Sequence, residues 1–164
     1  MKARGYSLVE MVVVIGIISI LLSIATLRFN EYSKRYRMEA QTRLIYSELL
    51  KARINALYQR RSTRVKLYAN RFEVYSSGLD DTAGVAPVRT QALSFPIVCT
   101  GDEVAAEGYP VDFDSKGLVT WRSICVDQSD GLAAVDSIVT WRTRVRIGKK
   151  EKGDACISTN ITTR

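Results

Sequence analysis

The chain has 164 residues, a formal net charge of +7, three cysteines and no histidine. That length holds one domain beyond a membrane helix, and the missing histidine removes the commonest general base and a frequent zinc ligand. With no G-x-x-x-x-G-K-[ST] phosphate loop and no G-x-S-x-G nucleophile elbow either, the residues carry no enzyme signature and imply no cofactor or metal.

A short basic head, Lys2 and Arg4, precedes Gly5-Tyr6-Ser7-Leu8-Val9-Glu10. Met11 to Leu27 then gives seventeen residues without a charge, eleven of them Val, Ile or Leu. On an insertion scale these contribute roughly −3 to −7 kcal/mol, enough to carry one acidic residue near the membrane edge. At 1.5 Å per residue the run reaches ~26 Å, just short of a ~30 Å hydrocarbon core. Adding Tyr6 to Val9 makes up the length but places Glu10 inside. Gly16, Ser19 and Ser23, at spacings of three and four, allow close helix approach or are simply tolerated.

A secretory signal is one reading of this segment, with Ser23-Ile24-Ala25 as a weak cleavage site and Glu10 arguing against it. A single-span anchor is another. Lys2 and Arg4 precede the span but Arg28, Lys34, Arg35, Arg37 and Arg43 follow it, so counting charges literally would leave the C-terminal domain in the cytoplasm. The basic balance suits an anionic partner such as nucleic acid or lipid.

From Arg28 to Arg61 there is neither proline nor glycine. Glu31/Arg35 and Glu39/Arg43 are acid-first i,i+4 pairs. Ile45, Leu49, Ala52 and Ala56 form an apolar stripe that Leu50, Ile54 and Leu57 are expected to widen. The spacing predicts one helix from about Leu8 to about Arg60, oily all round in its first half and amphipathic in its second.

After Ser62 the period becomes two. Val65 and Leu67, then Phe72 and Val74, flank Ala69-Asn70-Arg71 as a hairpin. Residues 76–88 read as a loop, 92–99 as a strand placed at an edge by Pro96, and 111–113 and 118–126 as strands around the turn Asp114-Ser115-Lys116-Gly117. A loop over 127–132, a long strand over 135–147 and a short one over 155–159 complete the pattern. The fold class is α+β, with a small antiparallel sheet on the amphipathic half of the helix.

On the long strand, Val139, Trp141, Thr143, Val145 and Ile147 would face one way. Arg142, Arg144 and Arg146 would face the other, with Lys149 and Lys150 just beyond. Three guanidinium groups on one face can track phosphates, but a solvated face or a seam against a neighbouring subunit is the plainer explanation. Val119-Thr120-Trp121-Arg122-Ser123 and Val139-Thr140-Trp141-Arg142-Thr143 are near copies, read as two similar strands with both tryptophans in the core. Asp112 to Gly117 is read as a turn, since Lys116 occupies a ligand position of a calcium loop and Ser123 its bidentate glutamate. If this half lies outside the cytoplasm, two of Cys99, Cys125 and Cys156 form a disulfide; the sequence does not choose which.

Arg4-Gly5-Tyr6-Ser7-Leu8-Val9-Glu10-Met11, followed by its oily run, resembles the processing site of type IV pilins and pseudopilins. Residues 50–57, 63–68 and 111–117 resemble, more loosely, the GspH/FimT branch of minor pilins and pseudopilins. The resemblance implies a leader over 1–5, a membrane and filament-core helix over 6–27, its amphipathic continuation over 28–61 and a β-rich head over 62–164. It implies cleavage by a prepilin peptidase between Gly5 and Tyr6, methylation of the new amine at Tyr6, where the family usually has Phe, and a register role for Glu10. It further implies a single-pass protein of the bacterial inner membrane with its head in the periplasm. An assembly platform would then pass it into a filament with other pilin or pseudopilin subunits. Major pilins often carry a proline near the end of the apolar run; its absence here favours a minor component. The expectation is a FimT/FimU-like minor pilin. The alternatives are a GspH-like pseudopilin of a type II secretion system and a DNA-binding minor pilin, because FimT-like proteins are associated with DNA uptake.

Overall fold

A computed structural model of the chain describes residues 7–100, 102–103, 108–126 and 133–163. Its first element is a single helix, α1, over Leu8–Gln59, within a residue of the boundaries the spacing predicts. It ends with no glycine: Arg60 takes up the left-handed conformation at φ 51°, a position that usually favours Gly or Asn. The chain divides into two compact units, Met1–Arg35 and Tyr36–Arg164.

In the first unit every described side chain from Ser7 to Tyr32 is exposed. The hydroxyls in this oily stretch turn back on the helix. Ser19 donates to the Ile15 carbonyl, Ser23 to that of Ser19 and Thr26 to that of Ser23, so none demands an outside partner. Glu31 pairs with Arg28 at 3.7 Å, an exposed contact worth little.

In the second unit α1 buries Met38, Ile45, Leu49, Ala52 and Ala56. They pack with Val65, Leu67, Phe72, Ile97, Val111, Phe113, Ile124 and Ile138 from the sheet. The stripe is narrower than expected, because Ile54 and Leu57 are exposed. At ~100° per residue, Ile54 and Leu57 sit about 120–180° around the helix from Ile45, whereas Leu50 is half-buried and packs on the core as expected. Polar groups on α1, buried at Gln41 and half-buried at Glu39, hold the segments that join the strands. The Gln41 amide donates to the Phe95 carbonyl and its oxygen accepts from the Ser94 and Phe95 N–H groups. Glu39 accepts from Ala134 N–H at 2.7 Å.

Among the described residues ten antiparallel strands make one sheet: β1 Thr63–Tyr68, β2 Arg71–Tyr75, β3 Arg89–Ala92, β4 Ile97–Cys99, β5 Asp102–Glu103, β6 Tyr109–Phe113, β7 Val119–Val126, β8 Ser137–Arg142, β9 Arg144–Lys150 and β10 Ile161–Thr163. Their order is β10-β9-β8-β7-β6-β1-β2-β3, with β4 joined to β7 and carrying β5. The β1–β2 hairpin, the 76–88 loop and the 114–117 turn stand where the sequence places them, and the two near copies lie side by side as β7 and β8. The loop expected over 127–132 lies outside the described residues.

Three expected strands differ. Residues 92–99 break into β3 and β4, because Leu93 to Pro96 crosses to Gln41 and leaves the ladder. The single strand over 135–147 is a hairpin, β8 and β9, reversing at Arg142-Thr143 with Trp141 opposite Arg144. The last strand begins at Ile161 rather than at 155, after a 3-10 turn over Ser158–Asn160. Cys125 on β7 and Cys156 before that turn form the disulfide, with Cα atoms 6.0 Å apart.

Cys99 is the free cysteine and is buried; burial pushes its thiol up to about 12. A thiol in that state is inert. A thiol reagent at pH 8 should therefore label no cysteine in the native protein, one after unfolding without reductant and three with reductant, read by intact mass.

Candidate functional site

The N-terminal segment holds the first candidate. Glu10 lies in the first turn of α1, where the helix dipole favours an acid. It is exposed and makes no ion pair or hydrogen bond among the described residues. Gly5 and Tyr6 lie outside those residues. The residues after Glu10 lie in a helix long and apolar enough, by length and composition, to cross a membrane, and its described apolar side chains are exposed. A large exposed apolar surface marks a membrane or protein contact.

The second candidate is the basic face, which the hairpin rearranges. In antiparallel pairs, directly opposed residues share a face. The register Trp141↔Arg144 and Val139↔Arg146 puts those four together, while Ile138, Thr140, Val145 and Ile147 share the other face. Ile138, Thr140 and Val145 are buried there. Arg142 is separated from Arg144 and Arg146 because it occupies the turn, at φ 40°. Lys150 is also removed from any free cationic face: it is buried, and its ammonium donates to the Asp154 carbonyl at 2.7 Å. Lys149 is half-buried and engaged. Arg144 and Arg146 remain, exposed, with no ion pair or hydrogen bond among the described residues. Trp121 is half-buried, but Trp141 is 57% exposed and not core.

A third cluster was not legible as a site in the sequence. Val65 and Leu67 alternate onto the core face of β1, leaving Arg64, Lys66 and Tyr68 on the other. Arg64 holds Asp112 through two hydrogen bonds, at 2.6 and 3.0 Å, and Asp80 at 2.8 Å. Lys66, itself buried, reaches Asp81 at 2.5 Å. Asp80 also caps the 3-10 turn Asp81–Ala83 by accepting from Thr82 N–H and the Thr82 hydroxyl. The cluster straps the 76–84 loop over the outer face of the sheet. It is fully paired, and its role is structural.

Hydrogen bonds from Thr82, then from Arg64, hold the Asp80 carboxyl down at about 2, and Lys66 lowers that of Asp81. Both lie below the ordinary value of 3.8. The stability that Asp80 contributes is therefore fully present above that value and is lost as pH falls through about 2, and Asp81 adds to the loss in the same direction. The melting temperature should be flat from neutrality to about pH 5 and should fall between about pH 4 and 2. The fall should be shallower in Asp80→Asn; an equal slope in that variant would assign the acid loss to other groups.

Asp114 accordingly acts as a turn residue. One carboxylate oxygen accepts from both Lys116 and Leu118 N–H at 2.8 Å, and Gly117 supplies the left-handed position at φ 69°.

Residues 1–26 match the family described as the prokaryotic N-terminal methylation motif. The fold is similar to that of the type IV minor pilin FimU of Pseudomonas aeruginosa strain PAO1 in its crystal structure. The TM-score is 0.53 at 15% identity, covering 76% of this chain and 96% of the FimU chain. At that identity the likeness is one of fold. No curated protein matches the chain.

Proposed function

We propose that this chain, a type IV pilin-family protein by its N-terminal motif and fold together, works as a minor pilin. Prepilin peptidase removes residues 1–5, cutting between Gly5 and Tyr6, and the new amine at Tyr6 is methylated. Residues 6–27 hold the protein in the inner membrane with residues 62–164 in the periplasm. An assembly platform then moves it into a filament, where the oily helix packs among those of other pilins. Glu10 pairs with the freed amine of a neighbouring subunit and sets the stagger. The observation that carries this reading is the combination of the matched motif with a long apolar helix whose described side chains are exposed.

The mature N-terminus tests it. A mass that begins at methylated Tyr6 supports the reading. A start at Thr26 makes the chain an ordinary exported protein, and an intact Met1 makes it an anchor; either overturns it. A GspH-like pseudopilin of a type II secretion system would share the processing and fold. Neighbouring genes decide between pilus and secretion machine.

A DNA-binding role draws support from Arg144 and Arg146, two unpaired guanidiniums on one strand face, and no longer from three. Phosphate contacts of this kind give salt-sensitive binding. A mobility shift that is unchanged in the Arg144→Ala, Arg146→Ala double variant removes β9 from that reading.

A further inference from the structure

We propose that the cavity formed by the β8–β9 hairpin and β10 is a binding site for an acidic sugar, taken as one ring bearing a carboxylate. This goes beyond assembly into a filament and does not require it. The cavity has a volume of about 260 Å³, below the ~300–1,000 Å³ of pockets that take drug-sized ligands, so it suits a single ring rather than a chain of them.

Its walls divide by chemistry. Trp141 presents an indole that the core does not use and that no cation or ring of the protein covers among the described residues. Arg144 lies directly across the ladder from it, and Arg146 lies across from Val139. Directly opposed side chains in a ladder stand ~5 Å apart, and residues two apart on a strand ~7 Å. Two arginines with no partner among the described residues therefore line the cavity beside one indole, and their attachment points are close enough for both forks to reach one carboxylate. Charge-assisted bonds from guanidinium forks are among the stronger polar contacts available.

Val139 and Ile161 make the apolar wall. Ile161 approaches closely because position 148 is glycine: a Cβ there would meet Ile161 Cγ2 at 2.6 Å and the Thr162 carbonyl oxygen at 2.8 Å. Ser158 and Thr163 supply hydroxyls at the rim.

The lining has one flat wall, and among the described residues no Asn, Gln, Asp or Glu belongs to it. It therefore lacks the amides that read adenine and the carboxylates that read cytosine, and of the bases only guanine finds its usual arginine partner here. A pyranose asks for something different. Its C–H face lies on an indole, its hydroxyls meet Ser and Thr, and its carboxylate meets the arginines. The DNA reading draws on the same two arginines, so the two readings compete for one face.

The test uses the full chain in detergent micelles and follows the indole N–H resonance of Trp141, assigned by its loss in Trp141→Phe. Methyl glucuronide should shift it saturably. Methyl glucoside, which lacks the charge, and acetate, which lacks the ring, should each bind more weakly by roughly tenfold, as expected for loss of one charge-assisted contact set. Arg144→Gln and Arg146→Gln should each weaken glucuronide binding while Lys116→Gln, an exposed cation outside the cavity, leaves it unchanged. Thermal melts establish that the variants are folded. Should a Gln variant melt low, Arg146→Lys decides: it keeps the charge but loses the fork, so undiminished affinity overturns the proposal. So does the absence of a saturable shift with glucuronide, or acetate binding as well as glucuronide. Tighter binding of adenosine monophosphate would also sink it, and would return the face to nucleic acid.

Discussion

Glu10→Ala should insert in the membrane as well as the native chain yet enter filaments about a hundredfold less, or not at all. The two halves of this expectation have separate causes. Insertion depends on the apolar run, and removing an acid that costs up to about +2.5 to +3.5 kcal/mol at the bilayer centre can only help it. Assembly depends on what the acid meets after insertion. Within a bundle of oily helices, the amine of the neighbouring subunit is drawn out of water, and Glu10 is the group proposed to neutralise it. At ~4 Å and an effective dielectric near 20 the attraction is about 4 kcal/mol before desolvation. Removing one partner of a buried pair leaves the other uncompensated, at a cost of about 3–5 kcal/mol, which is a factor of 10² to 10³ in an equilibrium. Membrane fractionation reads the first half, and the amount of the subunit in sheared filaments reads the second. Glu10→Asp, charged but shorter, should recover part of the loss. Native incorporation of Glu10→Ala would remove Glu10 from the assembly mechanism.

The parts of this fold that the sequence reveals are those governed by local periodicity. Helix α1 is visible because no proline or glycine interrupts residues 28–59. The β1–β2 hairpin is visible because its turn falls at Ala69-Asn70 between alternating apolar residues. The β8–β9 hairpin was hidden for the opposite reason. A two-residue reversal usually announces itself with Gly, Asn or Asp at the position of positive φ, and here an arginine, Arg142, fills it. Val139 to Ile147 therefore reads as one unbroken alternation, and a three-arginine face follows from it. The fold itself brings Arg144 and Arg146 beside Trp141, and period counting along one strand cannot show a cross-strand neighbour. Gln41 illustrates the same limit. Nothing nearby in the sequence marks it as the residue that anchors Ser94 and Phe95, more than fifty positions away. The strap at Asp80 was equally invisible, since its ionic partners Arg64 and Lys66 come from β1, and Arg64 is shared with Asp112 of β6. The N-terminal signal needed no fold, because its chemistry lies in consecutive residues.

Removing the disulfide by Cys125→Ala with Cys156→Ala should lower stability by roughly 3–4 kcal/mol, the loop-closure value for cysteines 31 positions apart in the chain. For a unit of this size that is a fall in melting temperature on the order of 10–20 °C. The loss should not be spread evenly. Cys125 and Cys156 form, with Ile161, a small apolar cluster separate from the main core, and Val98 and Val139 pack on it. β10 contributes three residues and, among the described residues, pairs only with β9. Without the covalent tie, the segment from 156 to 163 should lose hydrogen-exchange protection first, while β1 and β2, held by Phe72, Leu67 and the Arg64 strap, keep theirs. Peptide mapping must also find Cys99 outside the bond. An unchanged melting temperature, or loss of protection that begins in β1–β2, would contradict this account of where the bond acts. The same tie has a second consequence. Ser158, Ile161 and Thr163 form one side of the cavity beside Trp141, and each lies within seven residues of Cys156. Loosening that side should abolish the response of the Trp141 indole to glucuronide at temperatures where the main core is still folded. Protein folded in a reducing compartment should then behave as the double alanine variant does, because such compartments keep thiols from pairing.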